Sequence, residues 1–398
     1  MTQLSGKNPF RPGVGLPPLH LAGRDAPMRR FDAMLRAAPE QPANMRLVGL
    51  RGVGKTVLLR EFEKRAEAAE WAPLVLEVQP GHNREESLFA AIKGLADRKQ
   101  QEFSRVRRLR ANAGKAIATV VSAVKVSWEG ISVGLDPSAP GGARDVAQLL
   151  FELVDATLET GRRGAVILLD EMQIVRDERD RGGEHPLSML IAAVVALQRE
   201  EVPIGLVVCG LPTLTGNLLR ARSYTERMFR GEEIGPLSPS DAEAALIEPL
   251  RSTEAIPQRD FVASVVREVE GYPYFIQLWG AEVWDAAADA GVNELTAELL
   301  DLVTPDIYRR LNIDFYEPRV ATLTPAEQDL LLATTTCPSY PPLVVSEIND
   351  ASEKTPGNIN VLLGRLVEAG VIYRIRKGQY EYTAPKFRQY LQRRTATG

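Results

Sequence analysis

The sequence contains, at residues 49–56, the run Gly49-Leu50-Arg51-Gly52-Val53-Gly54-Lys55-Thr56. Its spacing is that of a phosphate-binding loop, G-x-x-x-x-G-K-[ST]. Such a loop needs glycine because its backbone N–H groups wrap a phosphate, and a Cβ atom would obstruct the approach. The lysine reaches the β- and γ-phosphates, and the threonine hydroxyl is a ligand for Mg²⁺. The run therefore predicts a site for ATP and Mg²⁺ formed by Gly49, Gly52, Val53, Gly54, Lys55, Thr56 and Val57.

The residues around this loop have the pattern of a parallel α/β sheet. A short apolar strand at 45–49 precedes the loop, and a helix at 56–70 follows it. Further apolar runs alternate with helical segments, as they do when helices cover both faces of a sheet. These runs predict four more strands, at 74–78, 165–169, 204–208 and 232–234. The predicted fold class is a three-layer αβα sandwich with a parallel five-stranded sheet.

An acidic pair follows one of these strands. The apolar run at 166–169 ends in Asp170-Glu171, and ligands of α/β sheets bind at the carboxyl ends of the strands. We expect Asp170 to hold Mg²⁺ together with Thr56, and Glu171 to polarise the attacking water. A solvent-exposed strand end is the alternative for this pair. Gln173 is a weaker candidate for a contact with the γ-phosphate or its water.

Two further positions are candidates for contacts with the nucleotide. Arg227 lies at a helix end just before the last predicted strand, where an arginine can stabilise transition-state charge in a neighbouring copy of the chain. Solvent-exposed arginines favoured by the helix dipole are an equal alternative there. Pro273, in the run Gly271-Tyr272-Pro273, begins a helix and places Tyr272 near adenine or ribose, although aromatic core packing explains the same pattern.

Composition excludes several classes of protein. The 398 residues include 48 basic and 52 acidic side chains, so no global positive charge draws the chain to nucleic acid or to an anionic membrane. Two cysteines and three scattered histidines argue against a disulfide framework and a zinc site, and they suit a reducing cytoplasm. No apolar stretch has the length of a membrane span. We therefore expect a cytoplasmic protein that has no membrane partner.

The length favours more than one domain. We predict an extended N-terminal arm at 1–22, a P-loop core at 23–237 with an insertion at about 98–142, and a helical lid with a connecting helix at 238–316. The insertion contains an alternating stretch at 125–133 that predicts a hairpin. The remaining residues, 317–398, show three helices and two strands, the pattern of a winged helix-turn-helix.

Basic residues of the C-terminal part suggest a nucleic-acid partner. Residues 321–398 hold nine Lys or Arg and seven Asp or Glu, and the basic ones cluster after 373. A reading helix with Asn358, Asn360 and Arg365, and a wing with Arg374, Arg376 and Lys377, would contact double-stranded DNA through residues 344–383. A winged helix used for packing or for protein contacts is nearly as good an interpretation.

With these motifs in their order and spacing, roughly residues 8–290 resemble P-loop ATPases of the AAA+/STAND type, in particular prokaryotic proteins with an origin-recognition-like ATPase module. The matching segments are 8–13, 23–25, 49–56, 170–173, 210–212 and 271–273. The resemblance implies a sheet in the order 5-1-4-3-2 with a helical lid, adenine beside Arg24, and Pro273 in contact with the nucleotide. The chain departs from the family at Cys209, where a polar sensor is usual, and in the absence of a lid arginine.

Two functions follow from this pattern. The first is a Mg²⁺-dependent ATPase that acts as a nucleotide-gated switch, coupled to DNA or to a partner through the winged helix, with Lys55, Asp170, Glu171 and Arg227 as its catalytic residues. The second is an ATP-bound DNA-binding regulator or initiator with negligible turnover, or a STAND-type signalling switch whose winged helix binds protein. Either could assemble as a homo-oligomer.

Overall fold

The structure, a computed structural model, describes residues 4, 6–13, 15–112, 142–178 and 183–397. The chain divides into two units. The sheet unit comprises Arg24–Gly49 and Lys55–Ile234, and the helical unit comprises Met1–Gly23, Leu50–Gly54 and Gly235–Gly398. The phosphate-binding loop is thus shared, with its centre in the helical unit and its ends in the sheet unit.

In its described residues the sheet unit contains one parallel five-stranded sheet in the order β2-β3-β4-β1-β5. The strands are β1 Ala43–Val48, β2 Trp71–Glu77, β3 Gly164–Asp170, β4 Ile204–Gly210 and β5 Arg230–Glu233. Every residue of β3 and β4 is buried, which explains why both appear in the sequence as unbroken apolar runs. The predicted fold class and strand order are confirmed.

Helices cover this sheet. They are α1 Asp25–Ala37, α2 Lys55–Ala68, α3 Glu85–Asn112, α4 Gly142–Leu158, α5 Pro186–Arg199, α6 Thr213–Ala221 and α7 Thr225–Met228. Helix α3 continues to Asn112, so residues 98–112, the first part of the predicted insertion, are helical. The hairpin predicted at 125–133 lies outside the described residues. Asp25 is the first residue of α1, and Arg24 occupies the N-cap position.

The helical unit continues the chain after the sheet. Its first helices are α8 Pro239–Ile247, α9 Arg259–Val269, α10 Pro273–Asp289, α11 Ala297–Leu311 and α12 Glu317–Ala321. A π-helical turn, Asn312–Tyr316, joins the last two. Helix α11 begins at Ala297, where the Thr296 hydroxyl accepts a hydrogen bond from the Leu299 N–H.

The C-terminal part of the helical unit combines helices with a small antiparallel sheet. Two short strands earlier in this unit, β6 Ile256–Pro257 and β7 Glu294–Leu295, pair with each other. The C-terminal elements are α13 Pro325–Ala333, β8 Leu343–Val344, α14 Val345–Ala351, α15 Pro356–Glu368, β9 Ile372–Arg376, β10 Gln379–Tyr382 and α16 Phe387–Thr397. In the described residues the C-terminal sheet has three strands in the order β8-β10-β9. Strand β8, only two residues long, is absent from the sequence-based prediction.

The N-terminal arm is extended but packed. Its described residues form neither helix nor strand. Phe10 is buried, and its ring lies against Gly280 of α10, where an added Cβ would come within 2.7 Å of it. The Asn8 side-chain amide donates to Asp285 at 2.9 Å. Packing against α10, which the sequence did not predict, therefore holds the arm in place.

Two stacked rings make the contact between α1 and α2 sensitive to substitution. Phe31 and Phe62 are both fully buried, with ring centroids 4.2 Å apart and planes within 6°. Replacing Phe62 with alanine removes a large buried ring, and we expect the free energy of unfolding to fall by about 3–5 kcal/mol in urea denaturation followed by circular dichroism. Leu219→Ala, at a partly exposed position of the same unit, should change it by less than about 0.5 kcal/mol. A loss below 1 kcal/mol in Phe62→Ala would contradict the packing described.

Candidate nucleotide site

The phosphate-binding loop begins where β1 ends and finishes where α2 begins. Gly52 and Gly54 have φ angles of +80° and +89°, a backbone region that other L-residues rarely adopt. The Gly49 N–H donates to the Gly210 carbonyl at 3.2 Å, which fixes the start of the loop to the end of β4. Lys55 is the first residue of α2. The loop therefore has the strand–turn–helix setting that its motif requires.

Thr56 and Asp170 meet at the carboxyl end of the sheet. The Thr56 hydroxyl donates to Asp170 Oδ2 at 2.6 Å. Asp170 and Lys55 are 4% and 8% exposed. A hydroxyl and a buried carboxylate in contact form an oxygen donor set that fits Mg²⁺. Since the described residues hold no cluster of three or more metal-binding side chains, phosphate oxygens and water would complete its coordination, as is usual for this ion.

Glu171 is held by a network that begins at its own backbone. Its φ angle is +55°, and its N–H donates to Asp170 Oδ1 at 2.9 Å. Its carboxylate accepts a hydrogen bond from the Gln173 amide, whose oxygen in turn accepts from the Leu211 N–H at 3.0 Å. Gln173, a weak candidate for a phosphate contact, instead links Glu171 to the residue that follows β4.

Asn217 completes this network, and sequence reasoning missed it. Its amide nitrogen donates to the Gln173 carbonyl at 3.0 Å and to the Val175 carbonyl at 3.3 Å. Asn217 is buried in the middle of α6, where asparagine is an unfavourable helix residue. That mismatch between residue and element is the signal that could have identified it.

Cys209 occupies the last-but-one position of β4 and is fully buried. Burial, and then the negative charge of Asp170, hold the pKa of the Cys209 thiol well above its ordinary value. The Cys209 thiol therefore feels the charge of the same carboxylate that Thr56 contacts.

In the helical unit, the centre of the loop contacts residues that are far away in sequence. The Tyr274 N–H donates to the Gly52 carbonyl at 3.4 Å. A Cβ atom at Gly54 would lie 3.9 Å from Pro273 Cγ. The Arg51 N–H donates to the Thr383 carbonyl, one residue after β10, at 3.2 Å. Pro273 thus lies beside the loop.

The remaining predicted site residues are Arg24 and Arg227. Arg24 is buried at the N-cap of α1. Arg227, on α7, is exposed and lines a cavity of about 900 Å³ together with Asn44 at the start of β1 and Arg230 at the start of β5. Asn44 and Arg230 lie at the amino ends of their strands, whereas Asp170 lies at the carboxyl end of β3. Because the strands are parallel, this cavity lies at the opposite end of the strands from Asp170. The structure does not bring Arg227 to Lys55 and Asp170 of its own chain.

A parallel sheet in this order, with a glycine loop after its first strand and an aspartate at the end of its third, defines a P-loop ATPase domain. Residues 20–208 match the family described as "AAA ATPase domain". The chain therefore carries an ATPase domain of the AAA class, which confirms the predicted family resemblance and enzyme class. Residues 314–391 match a second family, described as a domain of unknown function (DUF8462).

Solved structures with the same fold include three that extend over nearly the whole chain. The ORC2 protein of Aeropyrum pernix, solved as ADPNP–ADP complexes, is 12% identical over 100% of both chains, with a TM-score of 0.56. Its ADP form is 14% identical over 97% of each chain, with a TM-score of 0.54. The Walker-type ATPase PABY2304 of Pyrococcus abyssi is 17% identical over 94% of this chain and 96% of its own, with a TM-score of 0.55. At these identities the likeness establishes the fold.

No protein with a curated description matches the sequence. Among the helices that the structure describes, none has the length and apolar character needed to cross a membrane.

The two cysteines give a direct test of the buried environment. Cys209 and Cys337 are free and buried, and burial raises the pKa of both thiols. Only the thiolate reacts, and each unit by which a pKa rises removes about nine-tenths of it. We expect both thiols of the native protein at pH 8 to react with a disulfide reagent at least about tenfold more slowly than in urea. One thiol that reacts equally fast in the native and unfolded protein would contradict the burial of that cysteine.

Proposed function

We propose that the protein binds ATP with Mg²⁺ and hydrolyses it to ADP and phosphate, and that it acts as a nucleotide-gated switch. Its C-terminal residues, 317–398, would form a winged helix that binds double-stranded DNA. The observation that carries the proposal is that residues far apart in sequence contact the phosphate-binding loop, above all Thr383 through the Arg51 N–H. A change in the loop on nucleotide binding or hydrolysis would therefore reach the C-terminal residues directly.

The site residues divide the chemistry among them. Lys55 and the loop N–H groups would neutralise the phosphates, while Thr56 and Asp170 would hold Mg²⁺, which supplies charge neutralisation of the β- and γ-phosphates. The Glu171 carboxylate, oriented by Gln173, would position the attacking water and accept its proton as the bond from γ-phosphorus to the bridging oxygen breaks.

Residues outside this centre would contribute binding and assembly. We assign Arg24 and Pro273 to the nucleotide, with the N-terminal arm, core and lid bounded as the sequence predicts. Arg227 lies at the opposite edge of the sheet from Asp170, so its role at a γ-phosphate requires a neighbouring copy, and the proposal includes a homo-oligomer. Both cysteines are free, which agrees with the cytoplasmic location that we propose.

Exposed basic and amide groups support DNA as the partner of residues 344–383. On α15, Asn358, Asn360 and Arg365 are exposed, and asparagine amides can pair with adenine in the major groove. On the hairpin of β9 and β10, Arg374, Arg376 and Lys377 are exposed, as contacts to the phosphate backbone require. Helix and hairpin would then divide recognition as they do in a winged helix.

The Glu171→Gln variant tests hydrolysis separately from binding. It keeps the size of the side chain and its neighbour Gln173 but removes the base, so steady-state ATP turnover should fall about 100-fold or more while ATP binding measured by calorimetry persists. Lys55→Ala should lose binding itself. Glu67→Gln, an exposed position on α2, is the matched control and should behave as wild type. Undiminished turnover in Glu171→Gln would remove this residue from the mechanism.

A triple variant, Arg374→Gln/Arg376→Gln/Lys377→Gln, tests the DNA assignment. If each side chain contacts one phosphate, the slope of log K against log salt for duplex binding should become shallower by about 2.7. The control removes three exposed charges from α2 and α3, at Arg60, Lys64 and Lys93, and should leave the slope unchanged. Equal affinity and slope in the triple variant and the wild type would exclude DNA binding by the hairpin and would favour a protein partner.

A further inference from the structure

The cavity of about 900 Å³ at the amino ends of the strands is separate from the nucleotide site of its own chain. Its walls belong to the sheet unit alone. They come from the end of α1, the start of β1, the end of α5, and the stretch that runs from α7 to the start of β5. Pockets that hold small molecules have volumes of about 300–1,000 Å³. The cavity therefore has room for an organic molecule of ordinary ligand size.

Much of the lining is apolar. Met34 of α1 and Phe229, just before β5, are buried, and Val195 and Met228 are half-buried. Methionine side chains are flexible and adapt to the shape of the group they pack against. An apolar group that leaves water to lie against these side chains is stabilised by the hydrophobic effect. The lining therefore favours a ligand that has an apolar body.

Asn44, at the start of β1, brings a buried polar group to the cavity. Its side chain is 2% exposed. Its amide nitrogen donates to Gln198 Oε1 at 2.8 Å, and its amide oxygen accepts from Gln198 Nε2 at 2.9 Å. Gln198 also donates to the Ile204 carbonyl at 2.8 Å, so both of its amide N–H groups are used. Asn44 has a second N–H, for which the described residues provide no acceptor. This donor favours a ligand that presents an oxygen.

Positive charge is concentrated at the cavity. Arg199, Arg227 and Arg230 line it and are exposed, and none of the lining residues within the described part of the chain is acidic. Among the described residues, no carboxylate forms an ion pair with Arg199 or Arg227. Arg230 reaches Glu232 only at 3.7 Å, and Arg30 contacts the same carboxylate at 2.5 Å. The cavity is therefore complementary in charge to an anion.

The ends of helices explain only part of this charge. Helices α1 and α5 end at the cavity, at Ala37 and Arg199. The C-terminus of a helix carries about half a negative charge, which favours an arginine nearby. One arginine is enough to neutralise two such ends, and Arg230 belongs to a strand. An excess of positive charge therefore remains at the cavity.

We propose that this cavity binds a small organic anion with an apolar body, such as an aromatic or medium-chain carboxylate. The apolar body would lie against Met34 and Phe229, and the anionic group would contact Arg199 and Arg230. An oxygen of the ligand would accept a hydrogen bond from the second N–H of Asn44. The site is additional to the proposed function and does not depend on it, because no side chain of the nucleotide site takes part.

The test uses a fluorescent aromatic anion, anilinonaphthalene sulfonate, titrated into the full chain. Arg199→Gln/Arg230→Gln should raise the Kd of this probe about tenfold or more, because contacts to a charged group are lost. Ala37→Phe, which adds a ring at the cavity wall, should weaken binding as strongly although every arginine is retained. Arg60→Gln/Lys64→Gln, which removes two exposed charges from α2, is the matched control and should keep the Kd of wild type. The same Kd in the cavity variants and in wild type would overturn the proposal.

Two related compounds and a competition separate the requirements of the site. Neutral anilinonaphthalene, which has the rings but no sulfonate, should bind about tenfold more weakly than the anion, and equal affinity would refute an anion site. Methanesulfonate, which has no rings, should not displace the probe. Saturation with ADP and Mg²⁺ should leave the Kd of the probe unchanged, whereas displacement by ADP would place the probe in the nucleotide site and contradict the proposal. If Ala37→Phe does not fold, the arginine variant and the neutral compound decide.

ATP turnover makes a failure of this proposal distinguishable from a failure of the proposed function. Arg199→Gln/Arg230→Gln retains Lys55, Asp170 and Glu171, so its steady-state turnover should equal that of wild type. A loss of probe binding with unchanged turnover supports a separate anion site. A loss of turnover equal to that of Glu171→Gln would show that these arginines serve the nucleotide site instead, against the proposal.

Discussion

The hydrogen bond between the Thr56 hydroxyl and the Asp170 carboxylate is the contact on which the site depends. It joins the start of α2 to the end of β3, two strands away from the loop in the order of the sheet. The sheet places β4 between β1 and β3, and the fully buried strands β3 and β4 fix that spacing. Asp170 accepts hydrogen bonds from the Thr56 hydroxyl and from the Glu171 N–H. A buried carboxylate is stable only with such partners.

The same carboxylate explains why cysteine is tolerated at position 209. A thiol that is buried next to a negative charge stays protonated, so Cys209 adds no second negative charge beside Asp170. Gln173 orients the neighbouring Glu171, with one end of its amide on the carboxylate and the other on the backbone after β4. The acidic pair is thus surrounded by neutral groups.

Much of this arrangement could be predicted from the sequence because it is encoded locally. Buried parallel strands appear as unbroken apolar runs, and a loop that must wrap a phosphate restricts its own residue types. The parts that could not be predicted depend on contacts between distant residues. The Arg51 N–H bonds to the Thr383 carbonyl, and these positions are separated by most of the chain, while Asn217 bonds to carbonyls more than forty residues earlier. Strand β8 has only two residues, too few for a periodicity to show.

The phosphate-binding loop itself forms hydrogen bonds to residues that are far away in sequence. Gly49 bonds to Gly210 in the sheet unit, whereas Arg51 and Gly52 bond to Thr383 and Tyr274 in the helical unit. Gly52 and Gly54, both at positive φ, give the loop a backbone conformation that other residues rarely adopt. The residues that permit phosphate binding are therefore also residues whose backbone groups bond to distant parts of the chain.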